Sequence, residues 1–190
     1  MKTIAIDLDD TLNNFGETLR TAPFPDDGTT GLPPETRADY LARIRRNEPD
    51  ASGLLSTEYS YFKARIHLQC YQFAAARADG VRFVRRLKTD GWRIVICTYR
   101  DLRRAHDCSR QWLEANGIPF DHLFMAANKI VFCRAWQIDH LVDDDPFNIL
   151  HGEQYGVNVY YPATARLPSP APGRARAFQS FDEIIPWIQG

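Results

Sequence analysis

Charge of one sign, closely spaced cysteines and long apolar runs are all missing from this chain, and each absence removes a class of function. Lys and Arg number 23 against 24 Asp and Glu over 190 residues, for a formal net charge of −1. Such a balance supplies no broad field for nucleic acid or a lipid surface, so no extended nucleic-acid surface is expected and any bound anion must be held locally. The four cysteines, Cys70, Cys97, Cys108 and Cys133, lie far apart with no CxxC pair, and reduced core thiols are expected. The opening run "MKTIAIDLDD" is too short for a signal peptide, and no apolar stretch reaches the roughly 18 residues of a membrane span. A cytoplasmic location with no membrane partner is the expectation. His67, His106, His122, His140 and His151 show no ligand spacing and are expected in structural or surface roles.

What is present is an alternation. Short apolar runs at Thr3 to Leu8, Arg93 to Thr98, Leu123 to Ala126, His140 to Asp143 and Val157 to Tyr161 read as strands. Helical stretches separate the later ones, which predicts an α/β fold: a parallel sheet with helices on both faces. "DGVRFVRRLKTDG" spaces Val81, Val84 and Leu87 on one helical face, and "DLRRAHDCSRQWLEANG" ends on an Asn-Gly stop. Asn128 is placed to cap the next helix, Pro146 sits at a first-turn position, and Ser180 with Glu183 has capping-box spacing. Residues 13–78 break the alternation, with a Pro- and Gly-rich first half and an aromatic-rich helical second half. The expected organisation is a core of residues 1–12 and 79–190 with a small, mainly helical cap, 13–78, inserted after the first strand. "PATARLPSPAPGRARAF" reads as a Pro-rich surface connector.

The C-terminal ends of strands in an open parallel sheet converge on one crevice. Asp7, Asp9 and Asp10 follow the first strand, Thr98 ends the second, Lys129 opens the helix after the third, and Asp143, Asp144 and Asp145 follow the fourth. Three or more carboxylates meeting at one point need a hard divalent cation, and oxygen ligands with room for water suit Mg²⁺. One carboxylate can then attack phosphorus, while the cation, an ammonium and a hydroxyl stabilise the equatorial oxygens; a second carboxylate exchanges the proton. The expected chemistry is phosphate-ester hydrolysis. A signalling receiver domain uses similar groups but places its phosphorylated aspartate before the threonine, and no aspartate ends an apolar run between Asp10 and Thr98.

"DLDDTL", "VICTYR", Lys129 and "LVDDDP", in that order, resemble the four motifs of the haloacid dehalogenase (HAD) superfamily, whose fold is Rossmann-like. The resemblance implies Asp7 as nucleophile, Asp9 as general acid/base, Thr98 and Lys129 as phosphate-binding groups, and Asp7, Asp9 (through its backbone carbonyl) and Asp144 as metal ligands. Asp143 falls behind them as a supporting neighbour. "LDDTLNNFG", "NKIVF" and "HLVDDDPFN" are similar to the 5'(3')-deoxyribonucleotidase-like branch, which implies a nucleoside monophosphate as the small phosphorylated partner. In that branch the cap carries aromatics over the base; Phe15, Tyr59, Tyr61, Phe62, Tyr71 and Phe73 are the candidates here. Tyr99 and Arg100 are further candidate substrate contacts. Asp10 departs from the branch, which commonly has glycine there, as do Tyr99, Arg100 and Asp145. Another small phosphate ester, a polynucleotide end, or phosphate binding without turnover stay open as alternatives.

Overall fold

The computed structural model describes residues 1–21, 66–165, 167 and 173–189. Its strands are β1 (Thr3–Ile6), β2 (Arg93–Thr98), β3 (His122–Met125), β4 (His140–Val142), β5 (Asn158–Pro162) and β6 (Arg176–Phe178). Every pairing is parallel, in the order β3-β2-β1-β4-β5-β6. Successive chain segments therefore move outward in one direction through β2 and β3 and in the other through β4 to β6. The two directions part between β1 and β4, and the crevice above their C-terminal ends is the place where such sheets bind ligands.

The helices are α1 (Phe15–Thr21), α2 (Leu68–Phe73), α3 (Ala78–Thr89), α4 (Leu102–Ala115), α5 (Lys129–Ala135), α6 (Pro146–His151) and α7 (Ile184–Gln189). The central strands are apolar along their inner positions, Ile4 to Ile6, Ile94 to Cys97 and Leu141 to Val142, because both faces are covered. Ile4, Ile6, Ile94, Ile96 and Val142 pack with Phe83, Leu87, Trp112 and Ile184 on one side. Ala5, Val95, Cys97 and Leu141 pack with Ile130, Cys133 and Ile149 on the other. This is the doubly wound α/β layering that the strand and helix pattern predicts.

Local sequence signals set the helix starts. Asn128 Oδ1 accepts from Val131 N at 2.9 Å, and Asp145 Oδ1 accepts from Phe147 N at 2.8 Å ahead of Pro146. Ser180 and Glu183 form a reciprocal capping box before α7. β6 is a strand within the segment read as a surface connector: Tyr160, Tyr161 and Pro162 pair with Arg176, Ala177 and Phe178. β1 stops at Ile6, two residues before the expected end, because Asp7 begins the turn at Leu8–Leu12.

Most of the segment expected as a cap, with Tyr59, Tyr61 and Phe62, lies outside the described residues. Its two ends are described, and they run side by side. Asn13 bridges Ala76 in antiparallel sense, Asn14 N donates to Ala75 O at 3.1 Å and Arg77 N to Leu12 O at 2.8 Å. Trp112 Nε1 donates to Ala74 O at 2.8 Å, fixing the end of α2 to α4. The four cysteines are buried and not disulfide-bonded, and among the described residues no helix is long and apolar enough to cross a membrane.

Gly152, after α6, faces β5 so closely that a Cβ there would overlap Val159 Cγ2 and stand 3.0 Å from Val157 O. Gly152→Ala is expected to destabilise the fold by about 1–3 kcal/mol through overpacking, read as a lowered urea midpoint at unchanged slope; an unaltered midpoint would contradict this packing.

Candidate active site

Strand ends deliver the carboxylates. Asp7 follows β1 and its N–H donates to Val142 O at 2.9 Å, while Asp143 follows β4 and donates to Tyr160 O at 3.0 Å. Backbone pairing thus carries both aspartates one step past their strands, on neighbouring strands, into the crevice. Asp7 and Asp143 are buried. With Asp144 they present carboxylate oxygens within 4.8 Å of one another, a grouping that one cation can bridge.

Lys129, the first residue of α5, places its ammonium 3.1 Å from Asp7 Oδ1 and 3.0 Å from Asp143 Oδ2. Asp143 Oδ1 also accepts from Lys129 Nζ and Asp145 N, each at 3.0 Å, and Oδ2 from Asn148 Nδ2 at 2.8 Å. Asp143 therefore has both oxygens engaged by donors. Asp7 Oδ1 accepts no hydrogen bond of good geometry from the described residues, its contact with Lys129 being an ion pair. Asp144 Oδ1 takes one weak bond, from Thr11 Oγ1 at 3.2 Å. Thr98, buried at the end of β2, has no hydrogen-bond partner for its hydroxyl among the described residues.

One ammonium faces three carboxylates, and the charge deficit appears in their acidity. Burial, opposed by Lys129 and reinforced by Asp143 and Asp9, raises Asp7 to about 7. Burial with the nearby Asp7 and Asp143 charges raises Asp144 to about 8. Asp143 is also raised by burial, against the pull of Lys129 and its hydrogen bonds. Lys129 is pushed up: the two carboxylates outweigh the burial that would lower it. Asp7 and Asp144, the two with free oxygens and raised pKa values, are the groups best fitted to hold a divalent cation.

Asp9 and Asp10 lie in the turn after β1. Asp10 has φ of 55°, the left-handed region where glycine is at ease and aspartate is tolerated. Its carboxylate accepts from Gly16 N at 2.7 Å, and a Cβ on Gly16 would stand 2.6 Å from Asp10 Oδ2. Asp9 does not join the carboxylate cluster through its side chain. Its oxygens meet Arg100, with Nε 2.8 Å from Oδ2 and Nη2 2.5 Å from Oδ1.

Arg100, a candidate substrate contact by sequence, has a side chain that is 0% exposed and engaged by Asp9 and Ser109. Burial works against its charge and the Asp9 carboxylate outweighs it. Phe15 is half-buried and stacked on Tyr71, with centroids 5.1 Å apart. Tyr71 is buried, whereas Tyr99 and Phe73 are exposed. Asn13, Thr11, Ser109 and Asn148 were not singled out by sequence, yet Asn13 Oδ1 accepts from Asp10 N and Phe15 N while its amide reaches Asp9 Oδ1. Of these, Asn148 carried a signal: it is the asparagine of "VDDDPFN", one helical turn past the acidic triplet. Beside the cluster opens a cavity of about 580 Å³ lined by Asp10, Asn13, Arg20, Asp144 and Thr164 among others.

No family model and no curated protein matches the chain. Solved structures do. CbbY from Rhodobacter sphaeroides, in complex with phosphate, is 18% identical with a TM-score of 0.65 over 97% of this chain and 96% of that one. D,D-heptose 1,7-bisphosphate phosphatase from B. bronchiseptica, complexed with magnesium and phosphate, is 13% identical with a TM-score of 0.55 over 100% and 98%. An L-2-haloacid dehalogenase is 12% identical with a TM-score of 0.63 over 100% and 99%. The fold is that of the HAD phosphatases and dehalogenases. Because one fold hosts more than one chemistry, the likeness shows the fold and assigns no activity.

An acid raised in the folded state binds more protons folded than unfolded between the two pKa values, so stability falls as pH rises through that window. For Asp144 the window runs from 3.8 to about 8. Metal-free Asp144→Asn is therefore expected to be more stable than the parent at pH 8.5 in urea unfolding, with the gap closing toward pH 4; a gap independent of pH would remove the buried-charge account. Lys129→Met at pH 8.5 strands the facing carboxylates and is expected to cost about 3–5 kcal/mol in the same measurement.

Proposed function

We propose that the chain is a divalent-metal-dependent phosphomonoester hydrolase working through an aspartyl-phosphate, with Mg²⁺ as the metal and nucleoside monophosphates as the leading substrates. The carrying observation is the grouping of Asp7, Asp143 and Asp144 within 4.8 Å, with one ammonium against three carboxylates and the buried Thr98 hydroxyl left without a hydrogen-bond partner among the described residues. The cation, held by Asp7, Asp144 and the Asp9 carbonyl, would keep the carboxylates ionised and offset the charge of the phosphoryl oxygens.

Asp7 attacks phosphorus as the bond to the leaving oxygen breaks, and Asp9 gives that oxygen its proton. Asp9 then takes a proton from water as the water oxygen attacks phosphorus, which releases phosphate and restores Asp7. Lys129 and Thr98 hold the equatorial oxygens, the lysine by charge and the hydroxyl by the hydrogen bond it otherwise lacks. Asp143, saturated by Lys129, Asp145 N and Asn148, orients the lysine. Asp9 weighs against dehalogenation, because a departing halide needs no proton. Residues 13–78 are assigned as a cap, with Phe15 and Tyr99 as substrate contacts and the cavity beside Asp144 as the ester's entry. Four buried cysteines without disulfide bonds are in keeping with a cytoplasmic setting.

Asp7→Asn is expected to lower turnover of 4-nitrophenyl phosphate at least about a thousandfold with an unchanged circular dichroism spectrum; parent-like activity would remove Asp7 as nucleophile. Chelation should abolish turnover and Mg²⁺ restore it, and Mg²⁺ should raise the Tm more at pH 8 than at pH 5, where protons compete for Asp7 and Asp144. A panel of nucleotides and sugar phosphates compared by kcat/KM tests the substrate: a preference of at least about tenfold for nucleoside monophosphates is expected, and equal weak rates would end the nucleotide assignment.

A further inference from the structure

Arg100 is a costly residue to keep where it lies. Its side chain is 0% exposed, while that of its partner Asp9 is 20% exposed. The cation is sealed in the interior and the anion stands at the wall of the site. A buried guanidinium is tolerated only when its charge is paired and its N–H groups are used. Here Nε and Nη2 meet the two oxygens of Asp9 and Nη1 donates to Ser109 Oγ at 2.8 Å. Ser109 in turn donates to Ala105 O at 2.6 Å within α4. The Tyr71 ring of α2 lies over the guanidinium, 3.9 Å from Cζ to centroid. Thus α4 fixes one nitrogen, α2 fixes the plane, and the fork that remains is aimed at Asp9.

A bidentate fork constrains a carboxylate more than a point charge does, because it sets the plane of the two oxygens as well as their distance. The two Asp9 oxygens are not equivalent in this grip. Oδ1 receives Arg100 Nη2 and, at 3.3 Å, Asn13 Nδ2. Among the described residues Oδ2 receives Arg100 Nε alone. Oδ2 therefore keeps the greater capacity for another partner.

We propose that Arg100 is a positioning residue for Asp9, clamped by Ser109 and Tyr71 so that its guanidinium holds the carboxylate plane and leaves Oδ2 as the oxygen that exchanges the proton. The assignment rests on Asp9 being the general acid/base. It also ties the proton-transfer step to α2, the helix that returns from residues 22–65, so the packing of Tyr71 is felt at Asp9.

The test uses aryl phosphates of graded leaving group, from 2,4-dinitrophenyl phosphate, whose phenolate departs without a proton, to phenyl phosphate, whose departure needs one. Arg100→Lys keeps the charge and loses the fork. It is expected to lower kcat on phenyl phosphate at least about tenfold more than on the dinitrophenyl ester, with KM little changed, and to add no further loss in an Asp9→Asn background. Ser109→Ala, which leaves the guanidinium in place but loosens it, should show the same leaving-group pattern at smaller amplitude and carries the test if Arg100→Lys does not fold. Equal losses across the ester series, or a full additional loss in the Asp9→Asn background, would overturn the positioning role while leaving the hydrolase reading intact. If Asp9→Asn itself shows no leaving-group dependence, the acid/base assignment of Asp9 falls, and the role of Arg100 falls with it.

Discussion

The ammonium of Lys129 between Asp7 and Asp143 is the contact on which the site depends. Two carboxylates on adjacent strands of a buried sheet cannot stand this close without a cation, since each suffers both desolvation and the other's charge. The lysine opens α5, so the crevice is closed by a residue from the crossover that joins β3 to β4. With Asp145 N and Asn148 it engages both oxygens of Asp143, whereas Asp7 is met only in part, and that inequality separates their roles. Asp143 becomes a fixed support, whereas Asp7 and Asp144 retain free oxygens and an unmet charge.

The fold supplies this arrangement through connection order. Because β1 is central and the chain winds away from it in both directions, groups distant in sequence meet at one point. Asp9 and Arg100 are 91 residues apart, and Thr11 and Asp144 are 133 apart. The segment inserted after β1 begins and ends beside the same turn, through Asn13 and Ala76. The described ends of that segment are therefore anchored within a few residues of Asp9 and Asp10.

The strands and helix starts were legible because their signals are local. An apolar run covered on both faces, an asparagine before a helix, a proline in a first turn and a Ser–Glu capping pair each act within a few residues, and Asn128, Pro146, Ser180 and Glu183 stand where the spacing puts them. β6 was not legible. It is a three-residue edge strand that buries only Phe178 and is made by pairing with β5 rather than by its own pattern. The meeting of the strand-end residues could be read from motif order, as Asp7, Lys129 and Asp143 illustrate. The engagement of Arg100 by Asp9 could not, because an arginine at a helix start is an ordinary solvated residue until Ser109 and Tyr71 enclose it.

Cys97 precedes Thr98 on β2, and burial pushes its thiol well above the usual range, as it does that of Cys133 to about 12. Thiolate is the form that reacts with alkylating reagents, so the closed molecule presents almost none of it in the layer between the sheet and α5. Modification must wait for the sheet to part. The rate at which an alkylating reagent consumes these sulfurs is then a clock for opening at the heart of the molecule, and any ligand that binds the closed form will slow it.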